Sequence, residues 1–284
     1  MLLKSLLAIF FVASLLGAFV LAPKPGLSQH EDEDQTNDGR RVRLMSWNIG
    51  NGDLEAETRA HAEDLPAVAQ AILDRDPDAV ALQELTGADQ LKLLLESLKN
   101  RYRGYICSAA SSDRVEAVLV KEHAARTNER GVRFNDVPAD DRFAAAATFR
   151  LDNDLPEIVL VSAHADAFNA SRRRSFTEAV VDWARSRAEK EAVFVAGDFN
   201  FEVSTRNKTN LFTDDAKHDS ESFSYLLKYF NDLGRDAGET SINDRRIDYI
   251  FGSPATMTLH RAEVLRNAAV GRMDHWPLLV EVAF

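Results

Sequence analysis

The sequence predicts an α/β fold, and three features point to it. Strand-like and helix-like apolar patterns alternate from Arg41 onward. Several strand-like runs are apolar at every position instead of every second one, so both faces need cover. Polar residues gather where those runs end, which is where ligands sit on many α/β sheets. Sheets packed against each other, with helices over their outer faces, satisfy all three. No fixed-period repeat or low-complexity tract interrupts residues 41–284, which read as one domain.

Arg41 to Trp47 alternates polar and apolar residues and suits a strand. Leu65, Val68, Ala69, Ile72 and Leu73 then recur at helical spacing, and Pro77 stands just beyond the helix. Ala79 to Leu82 is a short buried strand. Leu91, Leu94, Leu95 and Leu98 line one face of a second helix. Strand-like runs follow at Tyr105 to Cys107, Ala117 to Val120, Phe143 to Leu151 and Ile158 to Ala163. Phe176, Ala179, Val180 and Trp183 share a third helical face, and Ala192 to Ala196 is again a buried strand. Phe223, Leu226, Leu227 and Phe230 predict a fourth helix that ends near Gly234. Ile247 to Phe251 and Leu278 to Phe284 close the chain as strands.

Ahead of the domain, residues 5–22 carry no charge and are nearly all apolar, with Lys4 before them. That is the pattern of an export signal, and its length also reaches that of a membrane span. The expectation is an exported protein, periplasmic or extracellular, with residues 1–28 as a signal cut after Ser28. The alternative keeps residues 5–22 as a membrane anchor with the domain outside, an orientation that Lys4 favours. Residues 29–40 contain Glu31-Asp32-Glu33-Asp34 and read as a solvated acidic linker.

The formal net charge of −11 argues against a basic nucleic-acid-binding stripe. It does not exclude a nuclease, because bound cations supply positive charge at a scissile phosphate. The single cysteine, Cys107, forbids an intramolecular disulfide and reads as a small buried hydrophobe.

The chemistry-bearing residues come in order along the chain. Asn48 follows the first strand, where an amide orients a phosphate or a metal-bound water; a plain turn residue is the alternative. Glu84 emerges from a buried strand and must be paired or hold a hard cation such as Mg²⁺. His164 and Asp166 share one face of an extended segment, and His164 suits neutralising a phosphate oxygen or protonating a leaving group. Asp198 and Asn200 repeat that spacing after Gly197, an acceptor carboxylate beside a donor amide. Asp248 lies among apolar strand residues, where an acid is costly unless paired. Asp274-His275 precede the last strand; an Asp that holds a His in one tautomer makes it a usable base. Arg172-Arg173-Arg174 open a helix and read as a solvated face, the alternative being contact with a nucleic-acid backbone.

Taken together, Trp47-Asn48, Gln83-Glu84, the strand-ending His164, Gly197-Asp198-Phe199-Asn200, Arg246-Ile247-Asp248 and Asp274-His275-Trp276-Pro277 resemble the motifs of the endonuclease/exonuclease/phosphatase superfamily, whose members resemble deoxyribonuclease I and exonuclease III. The likeness spans residues 41–284. It implies a four-layer α/β/β/α sandwich, deoxyribonuclease I-like, that hydrolyses phosphate esters with Mg²⁺ or Mn²⁺. It implies Glu84 as principal metal ligand with Asn48 and Asp274 nearby, and His275 as general base paired with Asp248. Asp198 and Asn200 would position water and phosphate, and His164 would stabilise developing charge. Either Asp198 or His275 would take the water's proton. Arg142 resembles an arginine that contacts phosphate in nuclease members, a surface arginine being the alternative.

Two departures bear on substrate. Nuclease members often carry Arg or Lys soon after Gln-Glu, where Leu85-Thr86-Gly87 stand here, and Met273 replaces a frequent Ser. The expected substrate is nonetheless a nucleic acid, DNA or RNA, since no aromatic-rich insertion of the kind carried by lipid-acting members is seen. The alternatives on the same scaffold are a phosphatase acting on small phosphate esters or a sphingomyelinase-like lipid phosphodiesterase. No protein partner is predicted.

Overall fold

The computed structural model describes residues 40–50, 64–107, 114–126, 131–139, 142–203, 216–242, 244–253, 257–268 and 273–284. The expected signal or anchor, and the acidic linker up to residue 39, lie outside them. Among the described residues no helix is long and apolar enough to cross a membrane.

The elements run β1 (Arg41–Asn48), α1 (Leu65–Arg75), β2 (Ala79–Leu85), α2 (Ala88–Ser97), β3 (Tyr102–Ile106), β4 (Val115–Lys121), β5 (Arg133–Ala139), β6 (Arg142–Phe149), β7 (Ile158–His164), α3 (Ala170–Arg185), β8 (Ala192–Asp198), α4 (Ala216–Leu227), β9 (Asn231–Asp232), β10 (Asp248–Gly252), β11 (Thr258–Val264) and β12 (Leu278–Ala283). They form two six-stranded sheets, ordered β11-β12-β1-β2-β4-β3 and β5-β6-β7-β8-β10-β9.

Local chemistry explains the helices. Pro66 opens α1, where its missing N–H costs nothing. The helix ends at Asp76, which takes a left-handed φ of 48° and returns its N–H to Ile72 O, and Pro77 forbids continuation. Asn169 caps α3 by accepting Arg172 N at 3.0 Å, and α3 buries Phe176, Val180, Val181 and Ala184.

The strands that are apolar on both faces face two cores. On β8, Ala192, Phe194 and Ala196 join the core shared with the first sheet, whereas Val193 and Val195 join the core that includes Phe176 and Val180 of α3. This period-two division is the four-layer arrangement that the resemblance implies. One polar strap crosses the interior: Gln83 Nε2 donates to Ser162 Oγ at 2.9 Å, and Ser162 Oγ donates to Leu82 O at 2.8 Å.

The topology fixes where the site lies. β1 and β2 run parallel, as do β7 and β8, so four carboxyl ends lie at one edge of the paired sheets. β10 and β12 run antiparallel to β8 and β1, which brings their amino ends to that same edge.

Three features differ from the periodicity. β5 and β11 are strands that the pattern misses. Both are sheet edges that bury little, so neither carries an unbroken apolar run, and β5 tolerates Pro138 because an edge leaves one side of its ladder unpaired. The fourth helix stops at Leu227, not near Gly234; the intervening Asn231–Asp232 pairs with β10 as β9. The Arg172–Arg174 run is not a solvated face throughout. Arg173 is buried and donates to Asp219 Oδ1 at 2.7 and 3.0 Å, and Arg174 pairs with Glu178 and Glu221.

Candidate active site

Asn48 ends β1 and reaches between the sheets. Its Nδ2 donates to Asp198 Oδ2 at 3.0 Å and to Glu84 Oε1 at 3.2 Å, and its Oδ1 accepts Gly50 N at 2.9 Å. Glu84 steps out of the β2 ladder, whose pairing with β4 shifts register between Leu82 and Leu85. Its φ is 62°, a left-handed conformation that costs a non-glycine residue about 1–3 kcal/mol. Asn200, at φ 52°, is strained in the same sense. Gly50 makes room for Glu84: a Cβ there would lie 2.1 Å from Glu84 Oε2. Gly197 is required twice over, by its φ of 147° and by Ala163 O, which a Cβ would approach to 1.8 Å.

Asp198 is the centre of the cluster. Its Oδ2 lies 3.7 Å from His164 Nε2 and 3.7 Å from His275 Nε2, while its Oδ1 accepts Asn200 N at 2.9 Å. Asn200 Nδ2 donates in turn to Ala165 O at 3.1 Å. Asp248 lies opposite Asp198 in the ladder between β8 and β10. Its Oδ2 is 2.8 Å from His275 Nδ1, and its own N–H donates to Thr240 Oγ1 at 3.0 Å. Trp47 Nε1 donates to His275 O at 3.2 Å, so the residue beside Asn48 also holds the histidine backbone. Asp274 Oδ1 is 3.9 Å from His275 Nε2. Arg142 stands at the rim, with Nη2 donating to Asp166 Oδ2 at 3.1 Å. Asn48, His164, Asp198, Asn200, Asp248 and His275 are all buried.

The sequence reading misses two residues here. Arg114 Nη1 is 2.8 Å from Glu84 Oε2. Glu116, buried in β4, has Oε1 3.8 Å from His164 Nδ1 and accepts the Cys107 thiol on Oε2 at 3.2 Å. An acid inside the run Val115 to Val120 is the signal that would have found it, because a buried carboxylate demands a partner. Cys107 is buried as expected, and it also serves as this donor.

Burial pushes the Asp198 carboxyl up to about 6, against the lowering influence of His275 and His164. At His275 burial acts downward, but the Asp248 and Asp198 carboxylates outweigh it and hold the imidazole well above its usual range. Burial also raises Asp274. It pushes Glu116 up to about 7, with the Cys107 hydrogen bond opposing. The folded protein therefore favours neutral Glu116. The stability this contributes is fully present below the ordinary value of 4.5 and is lost as pH rises through about 7. Glu116→Gln is expected to remove up to roughly 3 kcal/mol of that decline. Urea melts at pH 5 and pH 8 measure it, and an equally steep fall in both proteins contradicts the assignment.

Two sets of donors suit a cation. Asp198, Asp248 and His275 bring ligand atoms within 4.8 Å of one another, but His275 Nδ1 is already hydrogen-bonded to Asp248. Glu84 and Asp274 offer the carboxylate oxygens that Mg²⁺ or Mn²⁺ prefers, and Asp274 is close enough to feel the Glu84 charge, while Asn48 lies beside Glu84 with its Nδ2 toward it. The chemistry of this second set fits a hard divalent ion better.

The sequence pattern of the Endonuclease/Exonuclease/phosphatase family matches residues 45–273. No curated protein shows significant sequence similarity. Among solved structures, the fold is shared with an endonuclease/exonuclease/phosphatase from Bacteroides vulgatus (TM-score 0.66, 16% identity, covering 86% of this chain and 99% of that one). It is shared too with the human Nocturnin catalytic domain with bound sulfate anion (TM-score 0.64, 19% identity, 87% and 96%). A mannosyl-6-phosphatase from Bacteroides thetaiotaomicron is similar as well (TM-score 0.63, 19% identity, 86% and 100%). The family pattern covers most of the sequence, so the chain belongs to the endonuclease/exonuclease/phosphatase family.

Proposed function

We propose that this protein is an exported, divalent-metal-dependent phosphodiesterase that hydrolyses nucleic acid. The observation that carries the hydrolase reading is the surroundings of Asp198 Oδ2, which has Asn48, His164 and His275 within 3.7 Å from three other stretches of chain, and Glu84 one hydrogen bond away. Glu84, Asn48 and Asp274 would hold Mg²⁺ or Mn²⁺, which supplies positive charge at the phosphoryl group when bound.

The protein's own residues divide the remaining work. Asp198 orients the attacking water and takes its proton, with Asn200 fixing the carboxylate through its backbone N–H. His275 faces Asp248 through Nδ1, while Nε2 lies toward Asp198 and Asp274. An imidazole among three carboxylates is a proton donor, so His275 stabilises the phosphoryl oxygens and not the water. His164, backed by Glu116, does the same from the other side.

Nucleic acid is preferred because Arg114 and Arg142, both partly exposed, stand at the rim, where phosphates flanking the scissile one would lie. Export rests on the uncharged apolar run of residues 5–22.

A substrate panel tests the reading: plasmid DNA, RNA, sphingomyelin and an aryl phosphodiester, each with Mg²⁺ and again with EDTA. DNA or RNA should be cut with Mg²⁺ and left intact with EDTA. Turnover of sphingomyelin alone would reject the nucleic-acid part. No turnover of any ester would reject the enzyme.

A further inference from the structure

Five large apolar side chains are exposed among the described residues, and Phe168 is both the most exposed, at 55%, and the single aromatic. Leu93, Leu227 and Leu259 sit on α2, α4 and the edge strand β11. Phe168 instead sits four residues beyond His164, in the segment that leaves the active-site end of β7.

That segment is firmly tied. Asp166 Oδ1 accepts both Phe168 N and Asn169 N at 2.8 Å. The same carboxylate accepts Arg142 Nη2 on Oδ2. Behind it, the buried Arg173 donates to Asp166 O at 2.9 Å while paired with Asp219. Asn169 then caps α3. One carboxylate thus fixes a guanidinium and the backbone that carries an exposed ring, just beyond the active-site end of β7.

We propose that Arg142 and Phe168 form a nucleotide subsite, in which the guanidinium takes a phosphate next to the scissile one and the Phe168 ring stacks on the base attached to it. This deepens the nucleic-acid reading and rests on it. Stacking on a fixed aromatic is tolerant of base identity, since every base offers a π face. A rigid ring also loses little entropy on binding. A lipid arm would ask for a contiguous apolar patch, whereas the segment that carries this ring holds Asp166 and Asn169 and is hydrogen-bonded to Arg142.

The test is steady-state kinetics of Phe168→Ala and Phe168→Trp on a single-stranded oligonucleotide and on methyl p-nitrophenyl phosphate, which carries no base. Phe168→Ala should raise KM for the oligonucleotide about tenfold or more with kcat within about twofold. Phe168→Trp should restore KM. KM for the methyl ester should not move, and the melting temperature should stay put because the ring is exposed. Unchanged KM in Phe168→Ala, with the wild type cutting the oligonucleotide, overturns the subsite alone. A wild type that cuts no oligonucleotide but hydrolyses the methyl ester overturns the nucleic-acid reading, and the subsite with it.

Discussion

Asp198→Ala is expected to lower kcat by about a thousandfold or more while leaving the fold intact. Removing a general base typically costs on the order of 10²–10⁴, and this carboxylate also aligns Asn48, His164 and His275. His275→Ala should produce a loss of similar size. Groups that act as a unit are not additive, so the double variant should be little worse than either single one. Stability should not fall in Asp198→Ala, because the native carboxylate is buried opposite Asp248 and burial already disfavours its charge. Single-turnover rates on an aryl phosphodiester, with thermal melts alongside, decide the matter. Rates within tenfold of wild type in either single variant would remove Asp198 and His275 from the mechanism.

The second large effect concerns Glu84. Glu84→Gln keeps the side-chain shape that Gly50 accommodates, yet it removes one of the two carboxylate charges, with Asp274, proposed to anchor the cation. The expected result is an apparent Mn²⁺ affinity weakened by about a hundredfold, by analogy with the 10–100-fold typical of losing a supporting partner of a metal ligand. Activity should recover in part as metal is raised. EDTA should abolish wild-type activity. Calorimetric titration with Mn²⁺ reads the affinity directly, and full activity in EDTA would exclude the metal.

Much of the layering was legible because it follows from what apolar strands require. Ile158 to Ala163 and Ala192 to Ala196 are apolar at nearly every position, and each turned out to face two cores. Two of the edge strands were not legible, since Arg133–Ala139 and Thr258–Val264 bury too little to leave a pattern. In the site, motif residues such as Glu84 and Asp198 could be read because an acid at the end of a buried strand must either pair or hold a cation. Glu116 could have been read on the same ground, but its strand looked like plain core. The pairing of Arg173 with Asp219 was beyond reach, because 46 residues separate them and only the docking of α4 on α3 brings them together. The direction of the Asn48 amide was equally hidden, depending as it does on Gly50 N and two carboxylates from other strands.

Six of the site's acids, amides and imidazoles are split between two sheets: Asn48, Glu84 and Glu116 on one, His164, Asp198 and Asp248 on the other. The catalytic geometry is therefore a joint whose gap is gauged by whatever fills the space between its halves. That filler includes small side chains, with Ala145 and Ala147 on β6 and Ala192 and Ala196 on β8 in the shared core. Even one extra methyl group in this alanine layer would pry the halves apart and lengthen the reach from Glu84 to His164, although it touches neither. The spacing of the reactive groups is thus set by residues with no chemistry of their own.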